Sequence, residues 1–375
     1  MIPCANPLAQ YQSRRDEIFE AVKRVLESGN YILGPEVVAF ENAFARYCGA
    51  GNAVGVNSGT DALILALRAM DIGAGDEVIT VSLTALATVS AIIAVGATPV
   101  LVDVEPEYYT IAPAAFERAV TNKSKAVIPV HLYGQAADME AIMGIARSHN
   151  LKVIEDCAQA TGTLLNGRRV GSIGDAGCFS FYPTKNLGGI GDGGMVISNS
   201  AAIAERIRRL RQYGWNEQRS TDEPGLNSRL DELQAAILGV KLKHLDDDNA
   251  RRREIARIYC EELRGSDIVL PKERPDTAHI YHLFVIACNE RNTLQQMLAA
   301  SGIHAGIHYR VPAHLHSGYD RLCRLPDGGL PQTELLANKI LSLPMYPELT
   351  QHQLRRLVAV FKSLVNNGNN TEVTF

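Results

Sequence analysis

From residue 53 onward the chain alternates short apolar runs with stretches of helical periodicity, and this alternation restricts the fold more than any other feature. AVGV precedes a helix starting at Thr60, EVITVS a helix running to about residue 95, and PVLVDV a helix over 114–120. KAVIPVHL precedes a helix over 139–149, and LKVIED precedes a further strand, CFSFY, that stops at Pro183. Such repeats need right-handed crossovers, which set the strands mostly parallel in one sheet with helices on both faces. The runs are apolar at nearly every position, as strands buried on both sides must be. The expected class is α/β, with a mostly parallel sheet flanked by helices and ligands bound at the carboxyl ends of the strands.

Two helices come first, one over 16–28 stopped by Gly29-Asn30 and one after the Gly34-Pro35 turn. After the alternating region, a basic helix over 201–212 leads into a polar irregular stretch, 215–227, and a long charged helical region starts at Asp231. The texture then changes. HLFVIAC reads as a strand, 293–300 as a helix, a short strand is expected near Ile307, and a closing helix over 351–364 precedes a polar tail expected to fray. This predicts a large domain over 1–245 and a smaller C-terminal α+β domain over 246–375. At 46% hydrophobic content, 375 residues suffice for two packed units.

Charge and cysteines narrow the partners. A formal net charge of −4, from 37 basic and 41 acidic residues, supplies no field for nucleic acid or an anionic membrane. The uncharged run 85–102 is broken by Gly96, Thr98 and Pro99, so it reads as a buried helix and strand and not as a membrane span. Seven scattered cysteines, without a C-x-x-C pair, indicate neither a disulfide framework nor a zinc ribbon. The opening MIPCANPLAQYQSRRDE lacks a signal-peptide pattern, and a soluble protein of the reducing cytoplasm is expected.

The run GCFSFYPTKNLGGIGDGG carries the chemistry. Its strand delivers Lys185 into glycine-lined space, where backbone can approach a planar group closely. Asn57, Ser58, Gly59 and Thr60 stand before a helix, where free amides and hydroxyls suit a phosphate; the plain alternative is an N-cap. Asp156 ends a buried strand, so its carboxylate needs a cation or a donor such as a protonated ring nitrogen, and small residues after it leave room for a flat ring. Ser180 shares the strand of Lys185, and Asn227 precedes a helix that it could simply cap. Anion site, buried carboxylate, hydroxyl and lysine are what a phosphate-bearing pyridine aldehyde requires, so pyridoxal 5′-phosphate is the expected cofactor. No metal is expected: His304, His308, His314 and His316 crowd together, but without an H-E-x-x-H pattern and between helix-breaking glycines.

At this point the sequence resembles a known family. YILGPEVVAFE, VGVNSGTDALILAL, GATPVLVDV, VIPVHLYGQAADM, VIEDCAQA, FSFYPTKNLGGIGDGG and GLNSRLDELQAAIL are similar, in order and over nearly the whole chain, to the sugar aminotransferases of the DegT/DnrJ/EryC1/StrS family. The resemblance implies a PLP-dependent fold type I (aspartate aminotransferase-like) homodimer in which Lys185 carries the cofactor. At matching positions it implies that Asp156 pairs with the pyridine nitrogen, Gln159 faces the ring hydroxyl and Ala158 packs on one ring face. Gly59, Thr60 and Ser180, beside Ser58, match the phosphate contacts, and Asn227 matches the one delivered by the neighbouring subunit.

Within the family, YPTKNLGxxGDGG, YGW, NSRLDELQAAIL and HYxxPAHL look most like members that aminate C3 of dTDP-linked 3-keto-6-deoxyhexoses with L-glutamate as donor. Tyr182, Arg219, His308 and Tyr309 are the implied substrate contacts. Three positions depart from the common pattern: SLTALAT offers Leu83 and Ala85 where many members stack an aromatic ring, Arg219 replaces a tyrosine, and Arg310 replaces the proline of HYP. The alternatives are amination at C4 or of a UDP-linked keto sugar, a sugar dehydratase on the same scaffold, an amino-acid aminotransferase, or a non-catalytic regulatory protein. Lys185 argues against the dehydratases, whose known representatives typically carry histidine there.

Overall fold

The computed structural model describes residues 1–368. Its centre is a seven-stranded sheet made of β1 (Asn52–Val56), β2 (Glu77–Val81), β3 (Thr98–Val102), β4 (Ser124–Val127), β5 (Lys152–Asp156), β6 (Ala176–Ser180) and β7 (Gly194–Ser198). The order across the sheet is β1-β7-β6-β5-β4-β2-β3. Neighbours from β3 to β6 run parallel, as the sequence pattern requires, and β7 alone runs antiparallel to both strands beside it. The carboxyl ends of β1, β5 and β6 therefore share one edge.

The strand–helix alternation is realised by α4 (Gly59–Ala69), α5 (Leu86–Ala94), α6 (Pro113–Ala119), α7 (Met139–Ser148) and α8 (Ala201–Leu210). Because side chains alternate across a strand, neighbours in sequence enter different layers. Ile154, Cys178 and Val196 pack with α4, α5 and α8. Val153 packs with α6 and α7, and Phe179, Phe181 and Ile197 with α3 (Pro35–Cys48) and α9 (Glu232–Leu242). Phe44 of α3 meets Phe179 and Phe181 edge-on, with centroids 5.0 and 5.5 Å away. Each such pair adds about 0.5–1.5 kcal/mol to the burial itself, so α3 anchors the strand that carries the lysine.

The C-terminal part builds on an antiparallel pair, β8 (Phe284–Ala287) and β9 (Ile340–Leu343). These strands pack with α10 (Leu245–Glu262), α11 (Arg291–Ala300) and α13 (Gln351–Gly368), and Ile2 from the start of the chain enters the same cluster. Three local expectations are corrected. The helical region from Asp231 is two helices, because Lys243 and His244 end α9 before α10 begins. No strand forms at Ile307: a single bridge pairs Gly306 with Ser342. A hairpin, Leu164–Leu165 with Arg168–Arg169, joins Thr277–Ala278 in a small sheet that the pattern did not signal. The last helix runs past residue 364, and the polar tail beyond Gly368 lies outside the described residues. The run 85–102 is α5 followed by β3, and among the described residues no helix is long and apolar enough to cross a membrane.

Candidate active site

Lys185 is placed by a turn. The strand leaves the core at Phe181, and Tyr182-Pro183-Thr184-Lys185 closes with Lys185 N–H donating to the Tyr182 carbonyl at 2.8 Å. Proline at the second turn position presets the backbone for this bend. The loop then doubles back so tightly that a Cβ on Gly188 would lie 2.4 Å from the Pro183 carbonyl oxygen. Lys241 Nζ donates to the Gly188 carbonyl at 2.6 Å and to Gln10 Oε1 at 2.9 Å, fixing the returning chain. Burial lowers the Lys185 amine to about 8, with the Asp156 carboxylate pulling the other way.

An anion cradle forms across β7. Gly194 lies in register with Val56 on one side and Ser180 on the other. A side chain there would collide with the Ser58 carbonyl oxygen at 2.3 Å, and a Cβ on Gly59 would sit 2.7 Å from that of Ser180. Two glycines thus let the N-terminus of α4 close onto Ser180. Ser58 Oγ accepts the Asp61 N–H at 3.1 Å, as an N-cap should, while its own O–H remains available. The Gly59 and Thr60 N–H groups have no intrahelical partner and point out of the helix end, where its dipole favours negative charge.

One strand from Ser180, Asp156 faces the same layer. It is 4% exposed; one carboxylate oxygen accepts from Thr88 Oγ1 at 2.8 Å and the other from Ala158 N–H at 3.0 Å. A carboxylate offers about four lone-pair sites, so Asp156 keeps capacity for a further donor. Its neighbour Glu155 faces the opposite layer and has none left: it accepts from Gly171, Ile173 and Gly174 N–H at 2.7–2.8 Å and from His131 Nε2 at 3.0 Å. Burial opposes its charge, but the His131 bond and the backbone donors outweigh it and hold Glu155 below the usual carboxylate range. His131, Glu155 and Cys157 lie close enough to suggest a metal, yet Glu155 is already saturated.

The remaining expected residues divide. Gln159 accepts from Tyr133 N–H at 2.8 Å and donates to Tyr309 Oη at 2.8 Å, joining Tyr309 to the Asp156 segment. His308 Nδ1 meets Ser342 Oγ at 2.9 Å, and its carbonyl accepts from Tyr133 Oη. Burial and then the Lys185 charge hold the His308 imidazole below its usual range, while burial and then Asp156 push the Tyr309 phenol up. Tyr182 is 53% exposed and flanks the lysine turn. Arg219 stays apart in this chain, exposed, with its guanidinium 5.6 Å from the centre of the Trp215 ring. Asn227 is also exposed, next to Ser228, which donates to Asp61 at 2.6 Å. Leu83 is fully buried and so cannot cover a ring, whereas Ala85 caps α5 at the site. Thr88, Tyr133, Asn186 and His282 were not singled out from sequence; nothing local marks them, since each meets its partner across a long span of chain.

Lysine, carboxylate with spare capacity, small Ala158 and open cradle together fit a phosphate-bearing pyridine aldehyde. Comparisons agree. Residues 12–362 match the DegT/DnrJ/EryC1/StrS aminotransferase family. The chain is 50% identical to the dTDP-3-amino-3,6-dideoxy-alpha-D-galactopyranose transaminase of Aneurinibacillus thermoaerophilus, over 96% of this chain and 98% of that protein. It is 45% identical to the UDP-N-acetyl-3-dehydro-alpha-D-glucosamine 3-aminotransferase of Acidithiobacillus ferrooxidans, over 96% and 97%. Among solved structures, DesV of S. venezuelae in complex with a ketimine intermediate superposes with a TM-score of 0.94 at 45% identity, covering 97% of this chain and 98% of that one.

Proposed function

The chain belongs to the DegT/DnrJ/EryC1/StrS aminotransferase family, and from that premise we propose that it moves an amino group from L-glutamate to the C3 keto group of a dTDP-linked 3-keto-6-deoxyhexose. Its cofactor is pyridoxal 5′-phosphate. The observation that carries the reading is the meeting of Lys185, Asp156 and the α4 N-terminus at one sheet edge, in a chain half identical to a dTDP-3-amino sugar transaminase.

When bound, the cofactor supplies an aldehyde carbon that takes up the amino group and an electron-poor ring that accepts the electrons of the bond being broken. Gly59 and Thr60 N–H and the Ser180 hydroxyl bind its phosphate. Asp156 accepts the ring N–H with its free capacity and keeps that proton in place. Gln159, steadied by its bond to Tyr309 Oη, would meet the ring hydroxyl, and Ala158 would leave room for one ring face. Lys185 Nζ would hold the cofactor at rest and, when freed, would serve as the base for the proton on the donor's Cα. In the cofactor-free chain burial already lowers this amine to about 8, which suits it to act as a base better than an ordinary lysine.

Asn227, exposed in one chain, suits a phosphate contact in a second copy, so the working unit is a homodimer. Phe19, Leu26, Tyr31, Ile32 and Val38, all about half exposed, give it an apolar face. Tyr182, Arg219, His308 and Tyr309 contact the sugar nucleotide, the domain division falls after residue 245, and the enzyme works in the cytoplasm. The 45% identical relative named for a UDP-linked sugar supports a second reading, a UDP-linked 3-keto substrate.

The test starts from protein converted to its pyridoxamine form by L-glutamate and freed of excess donor. On adding the dTDP-3-keto-6-deoxyhexose, the visible absorbance of the lysine–cofactor linkage returns and an amino sugar appears. No return with the dTDP sugar but return with its UDP or 4-keto counterpart replaces the first reading; conversion failing with glutamate alone removes the donor.

A further inference from the structure

A chain of amides behind Lys185 dictates the state of a histidine to which the function above gives no role. Asn249 Nδ2 donates to the Thr161 carbonyl at 3.1 Å, and since that partner can only accept, Asn249 Oδ1 must face Asn186. Asn186 Nδ2 donates to it at 2.7 Å and leans on the Ile280 carbonyl at 3.5 Å, leaving Asn186 Oδ1 toward His282 Nδ1 at 3.0 Å. His282 must therefore carry its proton on Nδ1, and Nε2 is left with a lone pair. Asn186 directly follows Lys185, and its own carbonyl is held by Gln10 Nε2 at 3.2 Å. His282 precedes β8, so the Asn186–His282 bond ties the lysine turn to the C-terminal part of the molecule.

The charged and titratable groups around the ring reinforce one protonation state. His282 is 6% exposed, and burial followed by the charges of Lys185, Arg252 and His308 holds it well below its usual range. Arg252 Nη1 donates to the carbonyls of both Tyr281 and His282 at 3.3 Å, placing its guanidinium against the same segment. A second proton on the ring would meet these cations, and among the described residues no carboxylate is bonded to either ring nitrogen.

We propose that His282, locked as the Nδ1–H tautomer by Asn186 and Asn249, is a positioning residue that registers the turn bearing Lys185 against the C-terminal domain. The proposal rests on Lys185 being the cofactor lysine.

The experiment uses full-length, cofactor-loaded protein with His282→Phe, His282→Asn and His282→Gln. Readouts are the pH midpoint of the visible absorbance of the lysine–cofactor linkage, turnover, and thermal stability. The asparagine amide takes the place of Nδ1–H, while the glutamine amide takes the place of Nε2. His282→Phe is expected to move the absorbance midpoint and lower turnover about ten- to a hundredfold, and His282→Asn to restore both to within about threefold of the parent. His282→Gln should behave like His282→Phe, which keeps the comparison usable if the phenylalanine variant does not fold. An unmoved midpoint with turnover within about twofold in His282→Phe overturns the proposal. So does His282→Asn faring no better than His282→Gln. Failure of the underlying reading looks different: the parent itself would then carry no borohydride-reducible cofactor on Lys185, and both would fall.

Discussion

Glu155 and Asp156 are consecutive carboxylates on one strand, both buried, and the pleat sends them to opposite faces of the sheet. Glu155 is surrounded by four donors, three of them the N–H groups that pin the 171–174 loop and the fourth His131, and its chemistry is complete within the chain. Asp156 has two, from Thr88 and Ala158, and so is complete only with a ligand. The difference teaches that a buried charge is read by its unfilled valence rather than by its burial. A saturated carboxylate holds a fold together; an under-supplied one at a strand's end holds a substrate or cofactor.

The contrast can be broken in several ways. The largest effect is expected outside the pair, where Lys185→Ala removes turnover entirely; activity above that of free cofactor would detach both carboxylates from the proposed chemistry. Asp156→Asn should lower turnover about a hundred- to a thousandfold while thermal unfolding barely moves. Glu155→Gln should do the reverse, because its amide would face a backbone N–H, costing about 3 kcal/mol of stability with turnover per folded molecule intact. If calorimetry and kinetics show the two variants failing alike, the contrast is void.

Smaller effects sharpen it. Thr88→Val strips one donor from Asp156 and should reduce turnover about tenfold, with Thr88→Ser restoring it; an indifferent valine variant would make that hydroxyl dispensable. In protein stripped of cofactor, the Lys185 amine titrates near 8 instead of its ordinary 10.5. Between those values the unfolded chain binds more protons than the folded one, so this group's contribution raises stability as pH climbs from about 8 to 10.5. Lys241, lowered likewise to about 8 by burial, adds the same sign. Denaturant titrations across that window should show a shallower rise for Lys185→Met, and an unchanged slope would mean that the amine is not desolvated.

The sequence exposed the sheet because each strand–helix unit is a local pattern, and Lys185 and Asp156 because each ends such a unit. What stayed hidden depends on pairs that only the fold joins. Thr88 reaches Asp156, His282 reaches Asn186 and Tyr133 reaches His308 from different layers. The strand expected at Ile307 failed because apolar character near a turn does not supply a partner, and one bridge at Gly306 is all that Ser342 offers. The break between α9 and α10 was masked because Lys243 and His244 are ordinary helix residues in composition.

The reversed direction of β7 has a consequence for biogenesis. Among the described residues β1 joins the sheet through β7 alone, and the α4 end of the cradle rides on β1 while Ser180 rides on β6. Until β7 has been made and slotted between them, no strand pairing joins β1 to β6, and the two are linked through the packing of α4 against β5 and β6. A chain that stops short of residue 198 can pair β2 through β6 but leaves β1 without a neighbouring strand, so the register between the α4 end of the cradle and Ser180 is set late in synthesis.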